Sequence, residues 1–565
     1  MDDLESKRHD YGETSAMDIT KTNTMTGINE IDLSGGHQLE RGLKSRHIQF
    51  LALGGAIGTG LFIGSGAILS TVGPAPLLMA YLSMMLVVWN VMNCLAEMVT
   101  YLPLKGITIP YFVNRFLDDS LAFAAGWNYW YAYAILVAAE ASVGAVIISY
   151  WNESISAGVW IALFLILVLA LNIIAVSFFG EAEFWFASIK LITIVGLIIV
   201  GFVLMLGGGP NKDRLGFRYY KYQDGYGAFK EYIVPGNTGK FLAFWSAFAR
   251  AGFAFITSPE LIAISAGETV APRRNIPKAA RRFIYRLAVF YGLGSFVIGI
   301  IVPSNDERLL GAGNASASPF VIGIMNAGIE GLDHVINAAV LTSAWSAGNA
   351  FLYSGSRVLY SLSISGQAPR FFAKTTKRGI PYTAVLVTWA VGLLAFLTLN
   401  SSSAQVFTWL ANISTISGFI AWIVVMFTYL QFRKAMAFQN MLHKLPYKTP
   451  LQPYATYFVL FVVILLTLTN GFQVFFPQNW NVSDFMAAYV TIPIFLVLYL
   501  GHKTYVAVVG VNDPVVGSRR KEWSWSKRIE DVDCYTGKRE MDELERMDVP
   551  PVPKNMLQKV WFWIA

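Results

Sequence analysis

The chain has 565 residues, 55% hydrophobic and only 14% charged, with a formal net charge of +7. That much apolar surface exceeds what one aqueous core encloses, which excludes a soluble globular protein and identifies an integral membrane protein. Two cysteines in unlike surroundings and six histidines without metal spacing exclude a disulfide scaffold and a metal cluster. The basic excess lies largely in short loops between apolar runs, as membrane orientation requires, so no nucleic acid, metal or cofactor is expected.

In chain order, residues 1–46 form a polar stretch rich in Ser, Thr, Asp and Lys, read as a cytosolic tail. It lacks the charged-then-apolar pattern of a cleaved signal peptide, so the first apolar segment is expected to remain as a span. Apolar runs follow near 47–71, 74–101, 121–150, 158–178, 183–206, 241–266, 283–303, 330–361, 382–399, 404–430, 453–471 and 483–503, each near the ~20 residues that cross a bilayer. An open strand would leave its backbone unpaired in lipid, so these runs are twelve expected helices and the fold class is all-α. Residues 47–503 are the expected membrane domain, and residues 504–565 a second cytosolic tail.

Loop charge orients the spans. Arg41, Lys44 and Arg46 precede the first; Arg273, Arg274, Lys278, Arg281, Arg282 and Arg286 follow the sixth; Arg370, Lys374, Lys377 and Arg378 follow the eighth; Arg433, Lys434, Lys444 and Lys448 follow the tenth. All fall on one side, which is therefore cytoplasmic, and both termini share it. The loop 207–240 is assigned outside although it carries Lys212, Arg214, Arg218, Lys221 and Lys230. Asn152, Asn314, Asn400 and Asn481 stand in Asn-x-Ser sequons on expected outer loops.

Two spans carry helix-breaking sequence. GGAIGTGLFIGSG, from Gly54 to Gly66, has six glycines in thirteen residues, and the helix is expected to come apart around Ala56, Ile57, Gly58, Thr59 and Gly60. In the sixth span Pro259 removes a backbone donor and disfavours helix at Ser258. A break in span one matched by a break in span six points to two inverted five-helix repeats with a midplane site between them. Where a helix restarts, free N–H groups of Gly58, Thr59 and Gly60 suit a carboxylate. Where one stops, carbonyls from about Ala254 to Thr257 suit an ammonium. Together they complement an amino-acid zwitterion. The Gly54–Gly58 and Gly60–Gly64 spacings also fit simple helix packing, and the paired break in span six favours the binding reading.

The stretch from Leu43 to Gly66 resembles the opening of fungal amino-acid permeases of the amino acid/polyamine/organocation superfamily, and the resemblance extends to about residue 503. AFITSPELIAISAGE (254–268), LTSAWSAGNAF (341–351), NISTISGFIAW (412–422) and DFMAAYVTIPIFLVLYLGHK (484–503) are similar to the proline-permease branch. The resemblance implies the twelve-helix, five-plus-five inverted-repeat (LeuT-like) fold and proton-coupled uptake of proline at the plasma membrane. Alanine, glycine or γ-aminobutyrate would be admitted by a site tuned to a secondary ammonium. Ser258-Pro259 replaces the Gly-Thr of most of the wider family, as in the proline branch. By family analogy Lys7 and Lys21 are candidate acceptors for ubiquitin ligase machinery.

Ionisable groups at membrane depth cost about 2.5–3.5 kcal/mol even on lenient insertion scales, so each invites a role. Lys190 matches a lysine that in related proton-coupled carriers replaces a sodium ion beside the first break; alternatively its stem snorkels to the headgroups. Glu140 reads as a proton acceptor or as the fixed counter-ion of Lys190 or Arg250. Glu260 follows the second break and either ties the unwound segment to its neighbours or carries a proton. Arg250 either draws carboxylates inward or reaches the outer interface. Phe253, Phe255 and Trp345, with Ser346 as a polar contact, are nominated for the side-chain pocket, and Ile256 completes the sixth-span segment at the site. The rival readings are a broader neutral amino-acid permease, a nutrient sensor on the same scaffold, and a membrane enzyme, for which the chain has no nucleophile elbow, phosphate loop or metal-spaced histidines.

Overall fold

The computed structural model describes residues 58–102, 109–151, 154–174, 176–222, 226–260, 272–310, 318–377, 379–401, 403–512, 519–520, 523–547 and 555–556. Its helices are α1 (Gly60–Val72), α2 (Pro74–Tyr101), α3 (Ile109–Phe116), α4 (Asp119–Ser149), α5 (Ala157–Ile174), α6 (Val176–Leu206), α7 (Gly236–Ala251) and α8 (Pro272–Ile301). They continue with α9 (Pro319–Asn326), α10 (Leu332–Ile364), α11 (Tyr382–Leu399), α12 (Ser403–Phe438), α13 (Tyr454–Thr469), α14 (Val482–Tyr489), α15 (Thr491–Val509) and α16 (Lys538–Met547). Among the described residues the only sheet is a two-residue ladder of Val511–Asn512 with Arg519–Arg520. The fold is all-α, with nine described helices long and apolar enough to cross a membrane, and shorter apolar helices at Gly60–Val72, Ala157–Ile173 and Tyr454–Thr469.

The sequence places the helix ends by ordinary capping chemistry. Asp118 accepts the Leu121 N–H at 2.8 Å to start α4, and Asn481 accepts from Ser483 and Asp484 to start α14. Pro74 stands at the first position of α2, where a missing N–H is harmless. Gly73 before it has φ +88°, and its close neighbours are the carbonyl oxygens of Gly227 and Ala228. The connection 226–235 therefore closes over the α1–α2 turn. Lys230 donates to the Ser70 and Ser304 carbonyls at 2.7 and 3.3 Å, and Arg218 pairs with Asp213 at 2.6 Å. Two of the cations that depart from the loop-charge pattern are thus consumed in local structure.

Burial separates the interior helix from the periphery. In the most apolar stretch of α4, 89% of residues are buried, against 6% in α15. The abundant alanine of α4, with Gly126 against Leu362 of α10, lets α10 and α12 approach closely, and these are its main neighbours. Ile192, Ile199 and Val497 turn outward, as lipid-facing positions require.

The C-terminal segment extends beyond the expected boundary at residue 503. α15 continues to Val509, and residues 523–547 lie against the helices with Val532 and Cys534 buried. Tyr101 donates to the Cys534 carbonyl at 2.6 Å, Arg115 to the Asp533 carbonyl at 2.8 Å, and Arg273 pairs with Asp542 and Glu545 at 2.6 and 2.8 Å. The residues 1–57, including Ala56, Ile57, Lys7 and Lys21, lie outside the described residues.

A second polar clasp sits at the same end. The Glu97 carboxylate, fully buried on α2, accepts from Tyr429 (2.9 Å), Arg433 (3.1 Å) and both the N–H and hydroxyl of Thr449 (2.6 Å each). Removing one partner of such a cluster leaves the others desolvated and unpaired. Glu97→Ala is expected to cost about 3 kcal/mol, read as a lower melting temperature of the detergent-solubilised protein. A loss no greater than that of the exposed Arg539→Ala would refute this role.

Candidate functional site

The site lies where the first turn of α1 approaches the end of α7 and the residues that follow it. Gly60–Gly64 is a π-turn, and Leu61 and Phe62 both donate to the Gly58 carbonyl. In the sixth span α7 ends at Ala251, a 3-10 turn covers Gly252–Ala254, and residues 255–257 form a turn before helix resumes at Ser258. Thr257 takes φ +68°, a conformation disfavoured for a β-branched residue.

Two phenols donate to backbone carbonyls at this approach. Tyr81 of α2 donates to the Gly60 carbonyl at 3.2 Å, and Tyr291 of α8 to the Ala254 carbonyl at 2.7 Å. Gly60 and Ala254 themselves touch. A Cβ on Gly60 would lie 2.6 Å from the Ala254 Cα, which is backbone and cannot step aside. Gly58, in contrast, has open space where its Cβ would be.

That open space is part of a cavity of about 30 Å³, room for roughly two waters. Gly58, Thr59 and Gly60 line it from α1, and Phe253, Ala254 and Ile256 from the sixth span. Leu136 and Glu140 of α4, Glu183 and Lys190 of α6, and Ala347, Ala350 and Phe351 of α10 complete the wall. Thr59 donates its hydroxyl to Glu140 Oε1 at 2.8 Å, while Glu140 Oε2 has no donor among the described residues. The Ser346 hydroxyl lies 2.9 and 2.8 Å from the two oxygens of Glu183 and donates between them. Lys190 is 1% exposed and faces this cavity rather than reaching outward to headgroups. The charges that act on it are those of Glu183 first and Glu140 second.

The structure thus brings together Gly58, Thr59, Gly60, Phe253, Ala254, Ile256, Glu140 and Lys190 of the residues expected from sequence. It places others differently. Phe255 is not among the cavity's lining residues and packs at a tilt against Tyr291 and Tyr81, with ring centroids 4.2 and 5.9 Å apart. Thr257 is buried at the strained turn, and Glu260 accepts from the Trp422 indole at 3.0 Å. Arg250 is not beside Glu140 or Lys190; its guanidinium reaches the Thr71 and Tyr232 hydroxyls at 3.4 and 3.2 Å. Trp345 joins the apolar cluster built with α4, α5 and α11, and Ser346 spends its hydroxyl on Glu183. Trp345 and Ala347 are two positions apart, about 200° around a helix, so the small face of α10 meets the cavity and the indole does not.

Glu183, Leu136, Ala347, Ala350 and Phe351 are lining residues that sequence reasoning did not single out. Glu183 stands two helical turns before Lys190, a spacing that puts both on one face of α6. That interval was the available signal for it.

Many apolar helices around a buried, partly polar centre define a multi-pass membrane protein. The amino acid permease family matches residues 47–508, and the chain belongs to that family. It is 54% identical over 530 residues, 93% of each chain, to a proline-specific permease of Emericella nidulans. It is also 54% identical over 516 residues, 90% of each chain, to a probable proline-specific permease of Schizosaccharomyces pombe. A proline-specific permease of Saccharomyces cerevisiae is 45% identical over 549 residues, 95% of this chain and 84% of that one.

The two glycines separate the close approach from the open space. Gly60→Ala is expected to force α1 away from Ala254 and to lower radiolabelled amino-acid uptake about tenfold or more, equivalent to ~1.4 kcal/mol. Gly58→Ala is expected to leave the melting temperature unchanged and to raise the apparent KM, since its methyl enters the cavity. Equal effects of the two substitutions on uptake and melting would contradict this assignment.

Proposed function

We propose that the chain imports proline across the plasma membrane by proton symport and admits other small neutral amino acids such as alanine, glycine and γ-aminobutyrate. The observation that carries this reading is one cavity bounded by the first turn of α1 and by Phe253, Ala254 and Ile256, where the sixth span departs from the α-helix. N–H groups of Gly58, Thr59 and Gly60 hold the carboxylate, and carbonyls from about Ala254 to Thr257 hold the ammonium. A secondary ammonium offers two donors where a primary one offers three, so proline needs fewer of these carbonyls.

In this reading residues 47–503 form the membrane domain of twelve spans in a five-plus-five inverted repeat. The interrupted first and sixth spans are its matched members. The segments 1–46 and 504–565 lie in the cytosol, and Lys7 and Lys21 receive ubiquitin from the ligase machinery. Phe253 packs edge to face on Phe407 at 5.4 Å and shares the cavity wall with Phe351. A cavity the size of two waters admits an amino acid only when these rings swing aside, so they form the thin gate. Glu140, tied to the start of α1 through Thr59, links substrate binding to the proton.

Uptake of radiolabelled proline by cells lacking their own permeases, measured at an acidic and a neutral external pH, tests substrate and coupling together. The expected result is saturable uptake that falls as external pH rises, with unlabelled alanine, glycine and γ-aminobutyrate competing less well than proline. Uptake indifferent to pH would remove the symport, and absence of any uptake by protein present at the cell surface would favour a sensor.

A further inference from the structure

A carrier that exposes a central cavity to each side of a membrane in turn must let the helices around it part at one end at a time. Tyr81 on the Gly60 carbonyl and Tyr291 on the Ala254 carbonyl join α1, α2, the end of α7 and α8. α4 packs instead against α10 and α12, and α3 packs against α4 and α12. Tyr101 ends α2, about 30 Å along the helix from Tyr81. Whatever bridges α2 or α8 to α3 or α12 at that level resists parting at that end.

We propose that residues 523–547 are an autoinhibitory strap, anchored on α3 and α12 and hooked to α2 and α8, and that release of its hook on Arg273 speeds proline transport. This rests on proline transport and not on proton coupling.

The anchor runs from Lys527 to Thr536. The Lys527 N–H donates to the Leu117 carbonyl at 2.8 Å, just past α3, and its ammonium to the Asn114 carbonyl of α3 at 2.5 Å. From α12, Gln431 donates to the Lys527 carbonyl at 2.9 Å and Gln439 to the Val532 carbonyl at 2.8 Å. Arg115 of α3, itself buried, grips the turn that follows. It donates to the Asp533 and Thr536 carbonyls at 2.8 Å each and pairs with the Asp533 carboxylate at 3.2 Å. Val532 and Cys534 are buried between these bonds. Stripping such a segment off would leave several donors and carbonyls unpaired at once.

The hook is made of fewer contacts, and part of it is open to solvent. Tyr101 of α2 donates to the Cys534 carbonyl at 2.6 Å. α16 then brings Asp542 and Glu545, three positions apart and so on one face, to the guanidinium of Arg273 near the start of α8, at 2.6 and 2.8 Å. The Arg273 side chain is 7% exposed, whereas those of Asp542 and Glu545 are 40% and 55% exposed. Ion pairs with one partner half in water are screened and open at small cost compared with the anchor. A strap with a firm end and a weaker end gives way at the weaker one. When α2 and α8 part from α3 and α12, the strap therefore stays on α3 and α12 and lets go of Arg273, ready to close on it again.

The structure supplies its own reporter of that parting. The Thr449 N–H, in the segment after α12, donates to Glu97 of α2, so its hydrogen exchange follows separation at this end. Exchange of the peptide containing Thr449 and the maximal rate of proline transport are measured together on the full-length protein in proteoliposomes. In the double variant Asp542→Asn, Glu545→Gln, exchange is expected to quicken and the maximal rate to rise, each about fivefold, the scale of two partly exposed ion pairs. Arg273→Gln, which breaks the same pairs from the buried side, should act in the same direction. Glu543→Gln, on the same helix but paired with Arg539, should match the wild type. Wild-type exchange in the double variant would mean that the strap does not hold this end, and would overturn the proposal. Faster exchange with an unchanged or lower maximal rate would make residues 523–547 a brace rather than a brake, and would overturn it too.

Discussion

The constraint on which the site depends is the contact of two backbones at Gly60 and Ala254. Away from water, a helix can leave its hydrogen-bonded path only where each released group meets a partner. Here Tyr291 supplies the partner of the Ala254 carbonyl, and Tyr81 adds a second donor to the Gly60 carbonyl, which also accepts the Ser65 N–H. Their rings stack with centroids 5.9 Å apart, and Phe255 fits against both. Phe255 is therefore a spacer that keeps the two hydroxyls in place. Tyr291 lies in the π-turn Ala288–Leu293, an irregularity of the kind that recurs at functional sites. Thr257 stores of the order of 1–3 kcal/mol in its positive φ, and the buried packing around it holds that conformation.

The dryness that forces those backbone pairings also governs the charges. Lys190, Glu140 and Glu183 line one cavity of about 30 Å³, where a low local dielectric strengthens their mutual interactions. Their neutral partners come from different helices. Thr59 of α1 serves Glu140, and Ser346 of α10 serves Glu183. A displacement of the first turn of α1 therefore changes the environment of Glu140 through Thr59.

The apolar runs disclosed the helices because a membrane leaves a chain of this composition few alternatives. The six glycines between Gly54 and Gly66, together with Pro259, also pointed to the site, since residues that disfavour helix inside an apolar run need a reason. Glu140 and Lys190 were visible for the same reason, as charges embedded in apolar sequence. Glu183 was not. It stands at the start of its run and reads as an end-of-helix charge, whereas α6 begins at Val176 and carries it well inside. Trp345 was misjudged by rotation, because a preference for small neighbours says nothing about which of two residues faces inward. The clasp of residues 523–547 could not be read locally at all, since Arg273 meets Asp542 across 269 positions of chain.

Contacts among the described residues divide the helices around the cavity into two sets. Tyr81, Tyr291 and Arg250 bind α1, α2, α7 and α8 to one another, and close packing binds α4 to α10 and α12. Across the seam, near the cavity, the links among the described residues include the hydrogen bond from Thr59 to Glu140, the Trp422 indole on Glu260, and apolar contacts such as Gly252 against Phe419. At the end marked by Glu97 the seam is stitched far more heavily, by the four donors to that carboxylate and by the C-terminal segment, which reaches Tyr101 and Arg273 on one set and Gln439 on the other. Apolar faces separate at a cost that grows with the area newly wetted, whereas a buried carboxylate stripped of its donors costs several kcal/mol at once. The two ends of the seam thus resist separation by different physics, and the end with the polar clasps opens only when water or new donors replace what Glu97 gives up.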